Sequence, residues 1–536
     1  MSISSLQFAW KNFISWIRFL VLPEPDSLDH SFSVKQIGEL HSVTLNPDAH
    51  AIDDQTWKDL LVQQYATVLS KEVSIFGQQI LYQRLRTGLG DEQCAKLSER
   101  LQTLTQNPSV LDELHDVFQN LRKADAEIAG LLFRDSNQIS LPGWHRYTWL
   151  IAATFFVSLG ATLLHPFAGI TASLSLLGLF AIQIHYHSAM HLWNHSMRSL
   201  NQLLGVCSVL GKRTEIDLKE FADNRVRAGR INRKLTRLPS IDAIIPGTRA
   251  YIDWLMIANV RHYFKSVLHV YANIDFLRDC YLRTSNLEAD IALARHLLDQ
   301  NNTCWAERHQ YKQLAFTEAV HPLLHQARPL SIGLESKGAF ISGKNGIGKS
   351  TLLRTIGINL IVARAFGFCY AKTANVSTRP VYASMQNEDS LLGGESLYIA
   401  ELRRAKELLT AANGTHQGIY IIDEIFRGTN HSESVSAAAA VLKTLAQKGL
   451  VIVSSHNLVL APLLEKWLNS LYVTATDDNA QNLILRPGIL AHTNGIALLS
   501  SHGFGEQIED NAGKVFNWLN SYLARPTDDC SHVLEM

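Results

Sequence analysis

The chain has 536 residues, 46% of them hydrophobic, which is enough for two or three domains each burying its own core. Lys plus Arg and Asp plus Glu are equal at 49 each, so a net charge of zero excludes a global attraction to nucleic acid or anionic lipid and leaves such contacts to local patches. The six cysteines, Cys94, Cys207, Cys280, Cys304, Cys369 and Cys530, show no CxxC or Cys/His metal spacing; this argues against a zinc site or a disulfide framework and suits a reducing compartment.

The segment Phe8–Leu22 mixes aromatic residues with Lys11 and Arg18 and lacks the basic start and small-residue cleavage site of a signal peptide. It reads either as an amphipathic helix on a membrane surface or as a first helix packed on the protein. From Asp53 to about Phe133, Leu, Val and Ile recur at three- and four-residue spacings, which predicts long helices with breaks near Gly88–Gly90 and Asn107-Pro108.

No Lys, Arg, Asp or Glu occurs between Arg146 and Arg198. Two apolar runs, Tyr147–Leu164 and Phe167–Ile184, lie in that window, each about 18 residues and so at the lower end of what spans a bilayer as a helix. His165-Pro166 and Gly169 fit a turn between them, which predicts a transmembrane helical hairpin. Tyr147 and Trp149, with Tyr186 and Trp193, stand where interfacial aromatic belts are expected. Arg134, Arg146, Arg198, Lys212 and Arg213 flank the hairpin, which places both ends in the cytoplasm at an inner (cytoplasmic) membrane. A buried hairpin in a soluble core is the competing reading.

Ser199 to about Gln310 reads as helical again, with breaks at Leu238-Pro239 and Pro246-Gly247. Within it Arg225, Arg227, Arg230, Arg233, Lys234 and Arg237 fall in thirteen residues without an acid. Such a cluster suits nucleic-acid backbone, anionic lipid headgroups or a solvated helix face.

Near Thr317 the texture changes to short β-branched runs alternating with helical stretches, the pattern of an α/β domain with a mostly parallel sheet. Gly343-Lys-Asn-Gly-Ile-Gly-Lys-Ser350 matches GxxxxGK[ST] between the apolar run Ala339–Ile341 and a predicted helix Thr351–Ala363. In such a P-loop the backbone N–H groups around Gly343, Gly346 and Gly348 cradle phosphate, Lys349 reaches the β- and γ-phosphates of ATP, and the Ser350 hydroxyl ligands Mg2+. Ile419-Tyr-Ile-Ile-Asp-Glu424 then ends an apolar strand in two carboxylates. Asp423 is expected to hold magnesium through water, and Glu424 to polarise the attacking water. The run Leu450–Ser454 leads to Ser455-His456, placing His456 at a strand tip where it can sense the γ-phosphate. The tail after Arg525 is polar.

These residues resemble the MutS family. Gly343–Thr351, including Asn345, looks like the family's P-loop, Asp423-Glu-Ile-Phe-Arg-Gly-Thr429 like its Asp-Glu-x-x-Arg-Gly-Thr segment, and Ser455-His456 like its Thr-His. Asp389–Tyr398 with Glu401 is similar to the family's signature loop, and His321-Pro322, Gly495-Ile496 and Gly503-Phe504 match its entry and exit. Upstream, Ile52–Leu60 with Gln78–Gly88 looks like the start of the MutS helical core, and Ile274-Asp-Phe276 like the return of its lever helices.

The resemblance implies a homodimer with composite sites in which Ser396 reaches the partner's nucleotide, and it implies DNA, as in mismatch repair, as a candidate partner. The chain departs from the family in three ways. No mismatch-reading domain is expected before residue 52, a membrane hairpin is expected among the core helices, and Asn430–Ser434 stands in place of the family's Ser-Thr-Tyr-Asp-Gly. A membrane mechanochemical or signalling ATPase acting on a protein or lipid partner is therefore the alternative. The expected organisation is a helical core-like region over 1–140, a transmembrane hairpin over 141–198, a helical lever region over 199–315, and a MutS-like α/β P-loop ATPase domain over 316–536.

Overall fold

The computed structural model describes residues 30–45, 50–134, 143, 147–212, 219–236, 253, 255–385, 397–414, 417–475, 483–490 and 506–523. The segment Phe8–Leu22, the breaks at Leu238-Pro239 and Pro246-Gly247, Arg237, and the exits Gly495-Ile496 and Gly503-Phe504 lie outside these residues. The chain forms two compact units. One comprises 1–45, 70–82 and 107–292; the other comprises 46–69, 83–106 and 293–536.

The second unit is built on a six-stranded sheet. In chain order its strands are β1 (Gly338–Gly343), β2 (Val381–Ser384), β3 (Ile419–Asp423), β4 (Leu450–Ser454), β5 (Leu468–Ala475) and β6 (Leu483–Pro487), and in space they run β6-β5-β1-β4-β3-β2. Every pairing is parallel except β5 with β6, in agreement with the expected mostly parallel sheet. All residues of β3 and β4 are buried, as in a parallel sheet covered on both faces, which is why these strands are continuous apolar runs rather than alternating ones. The helix His431–Lys448 packs Leu442 and Leu445 with Tyr420, Ile422, Val451 and Val453 in one apolar cluster. The helix Lys349–Phe366 is buried on nearly every side and ends at Gly367, whose φ of +84° forms a left-handed cap.

Strands begin earlier than the sequence suggests. Cys304–Trp305 pairs with Phe368–Cys369, and Glu307–His309 belongs to a four-stranded sheet with Thr373–Ser377, Leu314–Ala319 and Leu330–Leu334. These strands of two and three residues carry no periodicity of their own; partners more than sixty residues away hold them extended.

The outer edge of β2 is closed by side chains. In the helix Asp54–Asp59, capped by Asp53, Thr56 Oγ1 accepts the N–H of Ala383 at 2.9 Å and Asp59 Oδ2 that of Met385 at 2.8 Å, so the edge is not an open template for another strand. Arg404 adds an ion pair to Asp53 at 3.1 Å.

The helices Ile75–Thr87, Asp91–Gln106 and Pro108–Phe118 place the breaks at Gly88–Gly90 and Asn107-Pro108; the first starts in the first unit and ends in the second, the second belongs to the second unit and the third to the first. The helix Ile75–Thr87 starts against a buried carboxylate. Glu288 accepts the Ser74 N–H (2.9 Å), the Ser74 hydroxyl (2.6 Å) and the Gly77 N–H (3.0 Å), occupying donors that a helix start leaves free. Gly77 is required there, since a Cβ would stand 2.9 Å from Glu288 Oε2 and 2.5 Å from Val73 Cγ1.

The two apolar runs form the helices Thr148–Ala161 and Ala168–Leu210, with the turn at His165-Pro166. The second is longer than its apolar run. Its 43 residues span about 64 Å, and Arg198, the expected end of the hairpin, lies inside it. Beyond Ile184 the composition turns polar, but Met190, Met197, Leu200, Leu203, Leu204 and Cys207 keep a helical period on a buried face, so nothing ends the helix before Gly211. Around the turn the apolar side chains face outward: Leu163 is 90% exposed, Leu164 81% and Phe167 79%.

Candidate functional site

The expected site residues other than Ser396 collect at the C-terminal ends of the adjacent strands β1, β4 and β3. The loop leaving β1 turns through Gly346 and Gly348, whose φ values of +75° and +105° lie in the region open to glycine, and Gly348 then opens the helix Lys349–Phe366. The loop therefore presents N–H groups at a helix N-terminus, an arrangement suited to phosphate. Lys349 is buried and its ammonium donates to the carbonyls of Gly343 at 3.1 Å and Lys344 at 3.4 Å, folded over the loop it belongs to. Burial lowers the pKa of Lys349, an effect the Glu424 and Asp423 carboxylates partly offset. Ser350 and Thr351 occupy the first turn of the helix, and Asn345 lies in the loop between Lys344 and Gly346.

Asp423 ends β3 in register with Ser454 of β4, and the Ser454 hydroxyl donates to Asp423 Oδ1. The buried Asp423 carboxylate, near enough to Lys349 for its charge to act on the ammonium, offers hard oxygen donors of the kind that suit Mg2+.

Glu424 takes the left-handed backbone region at φ +55°, and Phe426 does the same at +57°. Backbone of this kind in residues other than glycine costs energy and is held by its surroundings. Those surroundings are specific. The Glu424 N–H donates to Ser454 O at 2.9 Å, Glu424 Oε1 lies 2.8 Å from His456 Nε2, and Glu424 Oε2 lies 2.5 Å from Arg427 Nε. Burial alone would raise the Glu424 carboxyl, but the His456 hydrogen bond and the Arg427, His456 and Lys349 charges outweigh it and hold the group below its ordinary value.

The sequence pattern did not reveal what holds the segment Ile425–Thr429. Glu401, on the helix Leu397–Ala412, accepts the N–H groups of Arg427 at 2.9 Å and Gly428 at 3.3 Å. Gly428 is close to that helix, where a Cβ would meet the Tyr398 backbone nitrogen at 2.7 Å. Asn430 caps the next helix by accepting the Glu433 N–H at 3.0 Å, while the Thr429 hydroxyl donates to Glu433 Oε2 at 2.6 Å. The spacing Asn430-x-x-Glu433 carries that signal in sequence; Glu401 stands out in sequence through the resemblance of Asp389–Tyr398 with Glu401 to the signature loop, but one acid on a helix surface does not name the backbone it holds. Ser396 lies outside the described residues, as does Asp389–Glu395.

Beside the phosphate loop a cleft of about 170 Å3 opens between Gly346, Ile347, Gly348, Thr351, Leu352 and Thr355 on one side and His321, Leu324, Arg328, Leu330 and Leu483 on the other. Its lining mixes the apolar Ile347, Leu352, Leu324, Leu330 and Leu483 with the polar His321, Gln326, Arg328, Thr351 and Thr355, which suits a flat organic group carrying hydrogen-bonding atoms. Burial, reinforced by the Arg354 charge, lowers the pKa of His321 to about 4, so its imidazole is neutral.

Residues 339–520 match the sequence profile of MutS domain V. Endonuclease MutS2 of Thermus thermophilus is 33% identical over 181 residues, covering 33% of this chain and 23% of that protein. DNA mismatch repair protein MSH3 of Mycosarcoma maydis is 30% identical over 198 residues, covering 34% and 17% respectively. DNA mismatch repair protein MutS of Macrococcus caseolyticus is 27% identical over 246 residues, covering 41% and 29%. The chain thus spans less than a third of the length of each of these relatives.

Proposed function

From the match of residues 339–520 to MutS domain V, we propose that the protein is a MutS-family ATPase that binds ATP with Mg2+ at Gly343–Thr351 and hydrolyses it. The carrying observation is the convergence of the Lys349 loop, Asp423 and the Glu424–His456 pair at neighbouring strand ends. Gly343, Asn345, Gly346, Gly348, Ser350 and Thr351 wrap the phosphates, and the base occupies the cleft between Ile347 and Leu330. Lys349 stabilises charge on the transferred phosphoryl group. Glu424, held by His456 and Arg427, orients the attacking water, and His456 couples that carboxylate to the state of the γ-phosphate. Ser350 and Asp423 are the residues that would hold Mg2+, which would supply electrostatic stabilisation of the phosphate oxygens. In this reading the protein is a homodimer in which Ser396 completes the partner's site, and nucleotide state moves lever helices such as Ile274–Leu298.

The same reading anchors the protein in the cytoplasmic membrane through the hairpin, with the ATPase domain in the cytoplasm. In support, the most apolar window of the helix Ala168–Leu210 has a mean hydropathy of 1.5 and is only 17% buried. A core helix of a soluble protein would hide most of that surface. Retention of the full chain in membranes after alkaline carbonate extraction is the expected result, and release would remove the anchor.

Two relatives are named for DNA mismatch repair, so DNA is the first partner to test; the exposed apolar hairpin favours instead a protein or lipid partner at the membrane. ATP turnover by the detergent-solubilised protein, measured with mismatched duplex, homoduplex and no DNA at two salt concentrations, decides between them. Stimulation that falls with salt supports the DNA reading. Turnover indifferent to every DNA supports the membrane task, and no turnover overturns the ATPase assignment.

A further inference from the structure

The basic cluster singled out in the sequence is divided by the fold. The helix Lys219–Leu235 brings Arg227, Arg230 and Lys234, spaced by three and then four residues, to one wall of a cleft of about 380 Å3. His269 and Asn273, at the end of the helix Ala258–Ala272, line the other wall. Arg225 and Arg233 are exposed but do not line it. Arg227 is already positioned, its guanidinium 4.4 Å from the Phe276 ring centre and donating to Asn273 Oδ1 at 3.4 Å. The ion pairs nearby are Arg278–Asp275 and Arg283–Asp279; none among the described residues takes Arg230 or Lys234. Asp223 is the acid in the lining. Three cations on successive turns repel one another, and an anion in the cleft relieves that repulsion.

We propose that this cleft binds a small soluble molecule carrying two linked phosphoryl groups. The three cations spread over seven residues, roughly 10 Å of helix, which is wider than one phosphate. The two arginines offer planar forks that bind phosphate oxygens in pairs, and the His269 imidazole and Asn273 amide add polar groups opposite them.

The position of the cleft separates a soluble ligand from a lipid headgroup, an argument that rests on the membrane reading of the hairpin. Gly229 lies beside Ser208 of the long helix, with Ser208 Oγ 3.7 Å from where a Gly229 Cβ would stand. Ser208 is 24 residues beyond Ile184, about 36 Å along a helix. Headgroups of the bilayer that holds the hairpin do not reach it.

The test is calorimetric titration of inorganic pyrophosphate into the full-length detergent-solubilised chain carrying Lys349→Ala, which removes the phosphate loop as a second site. Binding is expected to persist there, to weaken at least tenfold when Arg230→Gln and Lys234→Gln are added, and to be unchanged by Arg225→Gln with Arg233→Gln, an equal charge loss away from the cleft. Thermal unfolding of each variant establishes that it is folded. If the cleft double variant does not fold, broadening of the pyrophosphate phosphorus resonance by the Lys349→Ala protein, and its reversal by excess unlabelled sulfate but not chloride, replaces it. Absence of binding in the Lys349→Ala background overturns the proposal, as does equal weakening by the two double variants. Binding of phosphoinositide vesicles or duplex DNA through Arg230 and Lys234, with pyrophosphate inert, overturns it in favour of a headgroup or a nucleic-acid backbone.

Discussion

His456 Nε2 lies 2.8 Å from Glu424 Oε1, joining the tip of β4 to the carboxylate that follows β3. With Arg427 on the other oxygen, both Glu424 carboxylate oxygens have a partner, and each keeps a lone pair that can accept from a water. In the proposed role of base, a carboxylate held this way spends little reorganisation on aligning a water, while its depressed pKa keeps it ionised.

Glu424→Gln is nearly isosteric and removes the charge. It is expected to lower kcat for ATP by about a hundredfold or more, the usual worth of a positioned general base, with nucleotide affinity retained because the Lys349 loop is untouched. Single-turnover hydrolysis beside equilibrium binding of a fluorescent ATP analogue checks this. Unchanged turnover removes Glu424 from the mechanism.

Glu401→Ala leaves the Arg427 and Gly428 N–H groups without their acceptor. The segment that positions Arg427 then loosens, and kcat is expected to fall about tenfold with KM little changed, as for loss of alignment rather than of a binding contact. Glu401→Gln keeps an acceptor and should recover most of the rate. Steady-state kinetics on the two variants distinguishes positioning from simple unfolding, which would lower both alike.

Gly338→Ala tests the packing of the central strand. Its Cβ would stand 2.0 Å from the Val451 carbonyl oxygen and 2.7 Å from Leu468 Cδ2, so backbone of β4 has to move. A destabilisation of about 3 kcal/mol is expected, typical of overpacking that a core cannot absorb. Denaturant unfolding followed by a probe in the C-terminal unit measures it.

Glu288 predicts a pH dependence. Burial raises its carboxyl from 4.5 to about 7, against the lowering effect of the Ser74 and Gly77 hydrogen bonds. Between these values the folded chain holds a proton that the unfolded chain has lost, so the contribution is full below pH 4.5 and declines as pH rises to about 7. A shift of this size corresponds to roughly 3 kcal/mol. Urea unfolding at several pH values should show the decline in wild type and a flatter profile in Glu288→Gln.

The elements of the proposed nucleotide site were readable because their chemistry is local. Gly343–Ser350 needs glycines and a lysine at set spacings to curl around phosphate, and β3 and β4 are apolar runs because both their faces are buried. The helical breaks at Gly88 and Pro108 follow likewise from backbone preferences carried by single residues. What local chemistry left open depends on partners distant in the chain. Thr56 and Asp59 close the β2 edge from more than 320 residues away, Glu288 caps a helix start 214 residues upstream, and Glu401 holds a loop 26 residues on. Each uses an ordinary polar side chain whose type and spacing are those of a solvated surface. The division of one basic run into a cleft wall and an outer face has the same origin, since helical phase and the neighbouring helix, not composition, decide which cations converge.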